Sequence, residues 1–146
     1  MAKDGSAHPG AGSGGMNLLD EQVRADQRLL LARWRIPFRQ IGKDIATSGI
    51  KDENIIPFLH GLKRATLFTH DQGFFRRQLL HPGYSLVWLD ASDIEAAVYI
   101  RRFLKHPFFY TTASRMGVVA RVHHDGIQFW QRHHPALQTA RWMDKP

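Results

Sequence analysis

ATLFTHDQGFFRRQLLHPGYSLVWLD, residues 65–90, contains two short apolar runs, each followed by an aspartate. The first, Ala65 to Thr69, leads into His70-Asp71. The second, Tyr84 to Leu89, ends at Asp90, with Ser85 as its polar exception. Neither run alternates strictly between apolar and polar. A strand that is apolar on both sides must be covered on both sides, which is the condition of a parallel sheet flanked by helices.

The rest of the chain fits that frame. Met16 to Leu19 is a further short apolar run and ends at Asp20. Arg24 to Trp34 is predicted as a helix with Leu30, Leu31 and Trp34 on one face, and Pro37 ends it. Phe38 to Ile41 is a second strand candidate, followed by a loop with Gly42, Ser48 and Gly49. Ile55, Ile56, Leu59 and Leu62 make one helical stripe. Pro57 favours Asn54 over Asp52 as that helix's N-cap, because a proline in the first turn forfeits no hydrogen bond. Ser92 to Lys105 is a helix opened by a Ser92/Glu95 capping box and closed by His106-Pro107. Val118 to His123 alternates, Asp125-Gly126 signals a hairpin turn, and Ile127 to Gln131 alternates again. The expected fold is α/β: a central, mainly parallel sheet flanked by helices, with a C-terminal antiparallel hairpin.

One domain accounts for residues 16–146, preceded by a tail or leader over residues 1–15 that is rich in Gly, Ala and Ser. From His133 to Pro146 the periodicity fades. The last dozen or so residues are expected to be loosely held, with Leu137 and Trp142 as docking points.

Composition narrows the partners. Twenty Lys and Arg against thirteen Asp and Glu give a net charge of +7, which attracts polyanions, nucleic acid foremost. The absence of cysteine removes disulfides and thiolate metal sites. No apolar run is long enough for a membrane span, and no secretory h-region is present, so a cytoplasmic location is expected.

Asp20, Asp71 and Asp90 all follow apolar runs, and Asp52-Glu53 sits at a helix entrance. Ligands of open α/β sheets bind beyond the carboxyl ends of the strands, so Asp20 and Asp71, distant in sequence, can meet there. Carboxylates gathered in a basic protein are costly unless a cation holds them. Oxygen ligands without cysteine point to Mg²⁺ or Mn²⁺. Each aspartate taken singly also suits a turn or a helix cap, and Asp90, just ahead of Ser92, is the clearest connector.

Three segments carry a family resemblance: Leu18-Leu-Asp20-Glu21, Lys51-Asp-Glu-Asn-Ile55 and Thr69-His-Asp71-Gln-Gly-Phe74. In this order they resemble the PIN-like domain family related to VapC-type toxins. Arg115 to Val122, with Gly126-Ile127, is similar to the closing part of one subgroup. The resemblance implies a Mg²⁺- or Mn²⁺-dependent endoribonuclease, the toxin of a toxin–antitoxin pair. Its partners would be RNA, an antitoxin protein and, in a homodimer, a second copy of the chain. It implies Asp20 and Asp71 as metal ligands, with Asp52 or Glu53 supplying a further carboxylate. The second acid of the Thr-x-Asp-x-Asp-Phe pattern is Gly73 here, which points to weaker metal binding. Arg76 and Arg77, close after Asp71, are candidates to grip RNA phosphates. His70 is the histidine to test for catalysis, while Phe74, Phe75, Tyr84 and Trp88 are expected in the core. The rival reading is a non-catalytic RNA- or protein-binding module on the same scaffold.

Overall fold

The computed structural model describes residues 15–143, so most of the expected 1–15 tail lies outside the described residues. The chain runs β1 (Met16–Leu19), α1 (Ala25–Arg33), β2 (Arg39–Gln40), α2 (Asp52–His60), β3 (Ala65–Thr69) and β4 (Tyr84–Leu89). It continues through α3 (Ala96–Lys105), the one-turn α4 (Thr112–Arg115), β5 (Val118–His123), β6 (Gly126–Gln131) and β7 (Gln138–Ala140). These strands form one seven-stranded sheet in the order β2-β1-β3-β4-β5-β6-β7. All pairs from β2 to β5 are parallel, and β6 and β7 join antiparallel. The fold is thus α/β with a mostly parallel sheet that ends in an antiparallel ribbon.

Register explains why the central strands are apolar throughout. Leu18, Leu67, Leu86 and Val119 are aligned across four strands, and Leu19, Phe68, Val87 and Ala120 form the next row. Successive residues point to opposite faces. The first row packs with Ile55 and Leu59 of α2, and the second with Leu31 of α1 and Ile100 and Phe103 of α3. Two cores therefore clamp one sheet. Among the described residues, no helix is long and apolar enough to cross a membrane.

Four local expectations change. Helix α2 starts at Asp52 with Lys51 as N-cap, so Asn54 is not the cap and Pro57 lies inside the helix. The carbonyl of Glu53 consequently lacks an amide donor four residues on. Burial of Ile55 and Leu59 offsets this, and Asp52 and Glu53 in the first turn suit the partial positive charge there.

The second strand is shorter than Phe38 to Ile41, being confined to Arg39–Gln40. The ribbon turn is His124-Asp125, and Gly126 already pairs with His123. Gly126 has φ +148°, and a Cβ there would meet the Ala140 carbonyl oxygen at 2.3 Å, so β7 approaches β6 only because this residue is glycine. Finally, the C-terminal stretch contributes β7, and Trp142 docks with its Nε1 donating to the His123 carbonyl at 2.8 Å, while Leu137 stays exposed.

Candidate functional site

The carboxyl ends of β1 and β3 are adjacent, joined by the Asp20 amide donating to the Phe68 carbonyl at 3.0 Å. One buried hydroxyl ties the residues beyond them. Thr69 Oγ1 donates to Asp20 Oδ2 at 2.8 Å and accepts the Asp71 amide at 3.0 Å. Asp71 Oδ1 in turn accepts the Gly73 amide at 2.8 Å. A chain of local hydrogen bonds thereby fixes two carboxylates that are fifty-one positions apart in sequence.

Asp52, at the entrance of α2, completes the group. Its carboxyl is held above the ordinary carboxylate range, first by the hydrogen-bonding approach of Asp71, then by burial and by the charges of Asp71 and Asp20. The three carboxylates surround a cleft of about 300 Å³ that is also lined by Glu21, Gln22 and His70. A neighbouring hollow of about 440 Å³ shares Asp52 and Asp71 and adds Glu53, Phe74 and Arg76. The Asp52 and Asp71 side chains therefore stand where the two spaces meet.

The structure separates residues that the sequence left together. Of Asp52 and Glu53, it is Asp52 that interacts with both Asp20 and Asp71; Glu53 lines only the outer hollow and a third depression beside the 46–51 loop. Arg76 borders the carboxylates, whereas Arg77 stacks over Trp130, its guanidinium carbon 5.3 Å from the ring centroid. Asp90 is a structural partner, with Oδ2 bound by Arg121 at 2.6 and 2.7 Å. Arg101 and Arg102 lie over Trp34 and Trp142, at the other face of the sheet. Phe74 and Tyr84 are core residues, but Trp88 is only half-buried, between Phe75 and Arg121.

Glu21 borders the same cleft, but its carboxylate is engaged elsewhere. Its carboxylate accepts the Gly49 amide at 2.9 Å and the Ser48 hydroxyl at 3.3 Å, so it fastens the loop that delivers α2. His70 Nδ1 lies 3.2 Å from the Leu89 carbonyl, which can only accept. Nδ1 is therefore the donor in this contact, and Nε2 is buried with no hydrogen-bond partner among the described residues.

Sequence reasoning missed Thr69 as a working residue, although a hydroxyl two positions before a strand-end aspartate is a readable signal. As they stand, no three His, Asp or Glu side chains among the described residues form a ready metal-binding group. The three aspartates form a loose acidic cleft rather than a closed ligand cage. Comparison with protein-family models, with characterised proteins and with solved structures gives no match to this chain.

Proposed function

We propose that the chain is a Mg²⁺- or Mn²⁺-dependent endoribonuclease of the PIN-like kind, acting as the toxin of a toxin–antitoxin pair. The supporting observation is the convergence of Asp20, Asp52 and Asp71, from three separate segments, on one cleft at the carboxyl edge of the parallel strands. The Asp52 pKa is raised first by the hydrogen-bonding approach of Asp71, then by burial and by the charges of Asp71 and Asp20, and a divalent cation would relieve the last of these. Magnesium keeps several waters and needs only one or two protein carboxylates, so an open acidic cleft suits it better than it suits zinc.

When bound, such an ion would polarise a phosphoryl oxygen and lower the pKa of its water. The protein's own parts in this scheme are distinct. Asp20, steadied by Thr69, and Asp71 would hold the cation, with Asp52 as the further carboxylate. Arg76 holds a phosphate flanking the scissile bond, and the +7 charge draws the RNA strand in.

The test is RNA degradation by the purified chain with Mn²⁺, with EDTA, and with Asp20→Asn. Cleavage should need the metal and fail in the variant; full cleavage by Asp20→Asn, or in EDTA, would sink the mechanism. A second reading, an RNA-binding module without chemistry, is favoured by Gly73 and by the open spacing of the acids. It predicts salt-sensitive RNA binding and no cleavage under any of these conditions.

A further inference from the structure

Arg115 is 7% exposed, yet every hydrogen-bond partner it has among the described residues is neutral. Its Nε donates to Thr66 Oγ1 at 3.3 Å, and Nη1 to the carbonyls of Phe109 at 2.8 Å and Tyr110 at 3.3 Å. Nη2 donates to Thr112 Oγ1 at 3.3 Å, leaving its second hydrogen without an acceptor among the described residues. Buried guanidinium groups are ordinarily paired with a carboxylate, because desolvating an unpaired charge is costly. Burial accordingly pushes the Arg115 pKa down to about 10.

This cation lines a cavity of about 300 Å³ to which no acidic side chain among the described residues contributes. Thr112 lies beside Arg115 in the wall, its hydroxyl hydrogen still available to a ligand because Oγ1 serves Arg115 as acceptor. The exposed Arg39 supplies further donors, Asn17 keeps one amide hydrogen beyond the one its Nδ2 gives to the Pro37 carbonyl at 3.0 Å, and the chain at Gly15 and Phe38 completes the wall. Gly15 is required by this packing, since a Cβ there would lie 2.5 Å from Thr112 Oγ1. The cavity sits at the amino ends of β1 and β2, so it is separated from the acidic cleft by the length of β1, about 13 Å at ~3.3 Å per residue.

We propose that this cavity is a binding site for a phosphate group, either the free ion or a phosphate monoester. Two guanidinium groups, one of them already desolvated, match a dianion, and the planar fork of arginine suits paired phosphate oxygens. The site is independent of the acidic cleft and of any ribonuclease activity.

The test is a titration of the full chain, in EDTA, followed by amide chemical shifts. The probes are inorganic phosphate, adenosine 5′-monophosphate and adenosine. Shifts should concentrate at Gly15, Phe38, Arg39 and Thr112 with both phosphates and be absent with adenosine. Equal affinities would assign the site to the free ion, and tighter binding of the nucleotide would assign it to monoesters. Arg39→Ala, which removes an exposed side chain, should weaken phosphate binding about tenfold. Because Arg115→Ala also strips contacts from the core, Arg115→Lys is the companion variant; it keeps the charge, loses the fork and should bind more weakly. Unchanged affinity in Arg39→Ala, equal response to adenosine, or shifts centred on Asp52, Asp71 and Arg76 would overturn the proposal, as would no response at millimolar phosphate.

Discussion

At the carboxyl ends of β1 and β3 three aspartates crowd one cleft, while at the amino ends of β1 and β2 a buried arginine lines another. The two edges differ in more than sign. The acidic edge is made of residues beyond the strands, with Asp20 and Asp71 held by one or two hydrogen bonds and Asp52 exposed to solvent. Arg115 is bonded into the core through four acceptors drawn from β3, α4 and the loop after α3. A charge kept near water can be exchanged with little loss of stability, whereas a charge built into the interior cannot.

Substitutions at the two edges should therefore break this contrast in graded ways. Arg115→Ala should have the largest effect, a loss on the order of 3 kcal/mol of unfolding free energy, because it leaves the buried Phe109 carbonyl unpaired and strips contacts from the core. The denaturant midpoint measures it; a loss below that of an ordinary surface substitution would refute the inward character of this edge. Asp71→Asn should lower metal-dependent RNA cleavage on the order of 100-fold, the scale of one preorganised electrostatic contact, while barely moving the thermal midpoint in EDTA. Thr69→Val removes the hydroxyl that joins Asp20 to the Asp71 amide. It should cost about 1 kcal/mol of stability and weaken Mn²⁺ binding about tenfold, measured by calorimetry.

The smallest effect is the pH response of Asp52. Its pKa is raised on folding, so the folded state holds this proton more tightly than the unfolded chain does. The stabilisation is complete below the ordinary carboxylate pKa and is lost as pH rises through the raised value. In EDTA, Asp52→Asn should therefore match the wild type in acid and exceed it at neutral pH by a few tenths of a kcal/mol, a modest gain because Asp52 is exposed. With Mn²⁺ the order should reverse. Thermal midpoints across this pH range, with and without metal, decide the matter.

Much of the fold was legible locally. Ala65–Thr69, Tyr84–Leu89 and Val118–His123 match their strands residue for residue, because each is an apolar or alternating run with clear ends. The Ser92/Glu95 capping box is present because its partners are neighbours in sequence. The misreadings arose where packing outweighed local preference. Burial of Ile55 and Leu59 holds α2 together through Pro57, and the shape of Gly126 lets β7 dock without any apolar period of its own. In the acidic cleft, Asp20 and Asp71 could be placed from the strands they follow, but Asp52 and Glu53 are adjacent in one helical turn, and only the packing of α2 distinguishes them.

The sequence by itself determined the class of fold, the order of the central elements, the basic charge and the presence of aspartates at strand ends, since these follow from periodicity, composition and chain direction. Tertiary structure alone decided which side chains share a space. It turned Glu21 onto the Gly49 loop, gave Asp90 to Arg121, separated Arg76 from Arg77 and left Arg115 buried without a carboxylate. The physical reason is that periodicity assigns a residue to a face, whereas charge pairing and desolvation depend on distances between residues that no local pattern encodes.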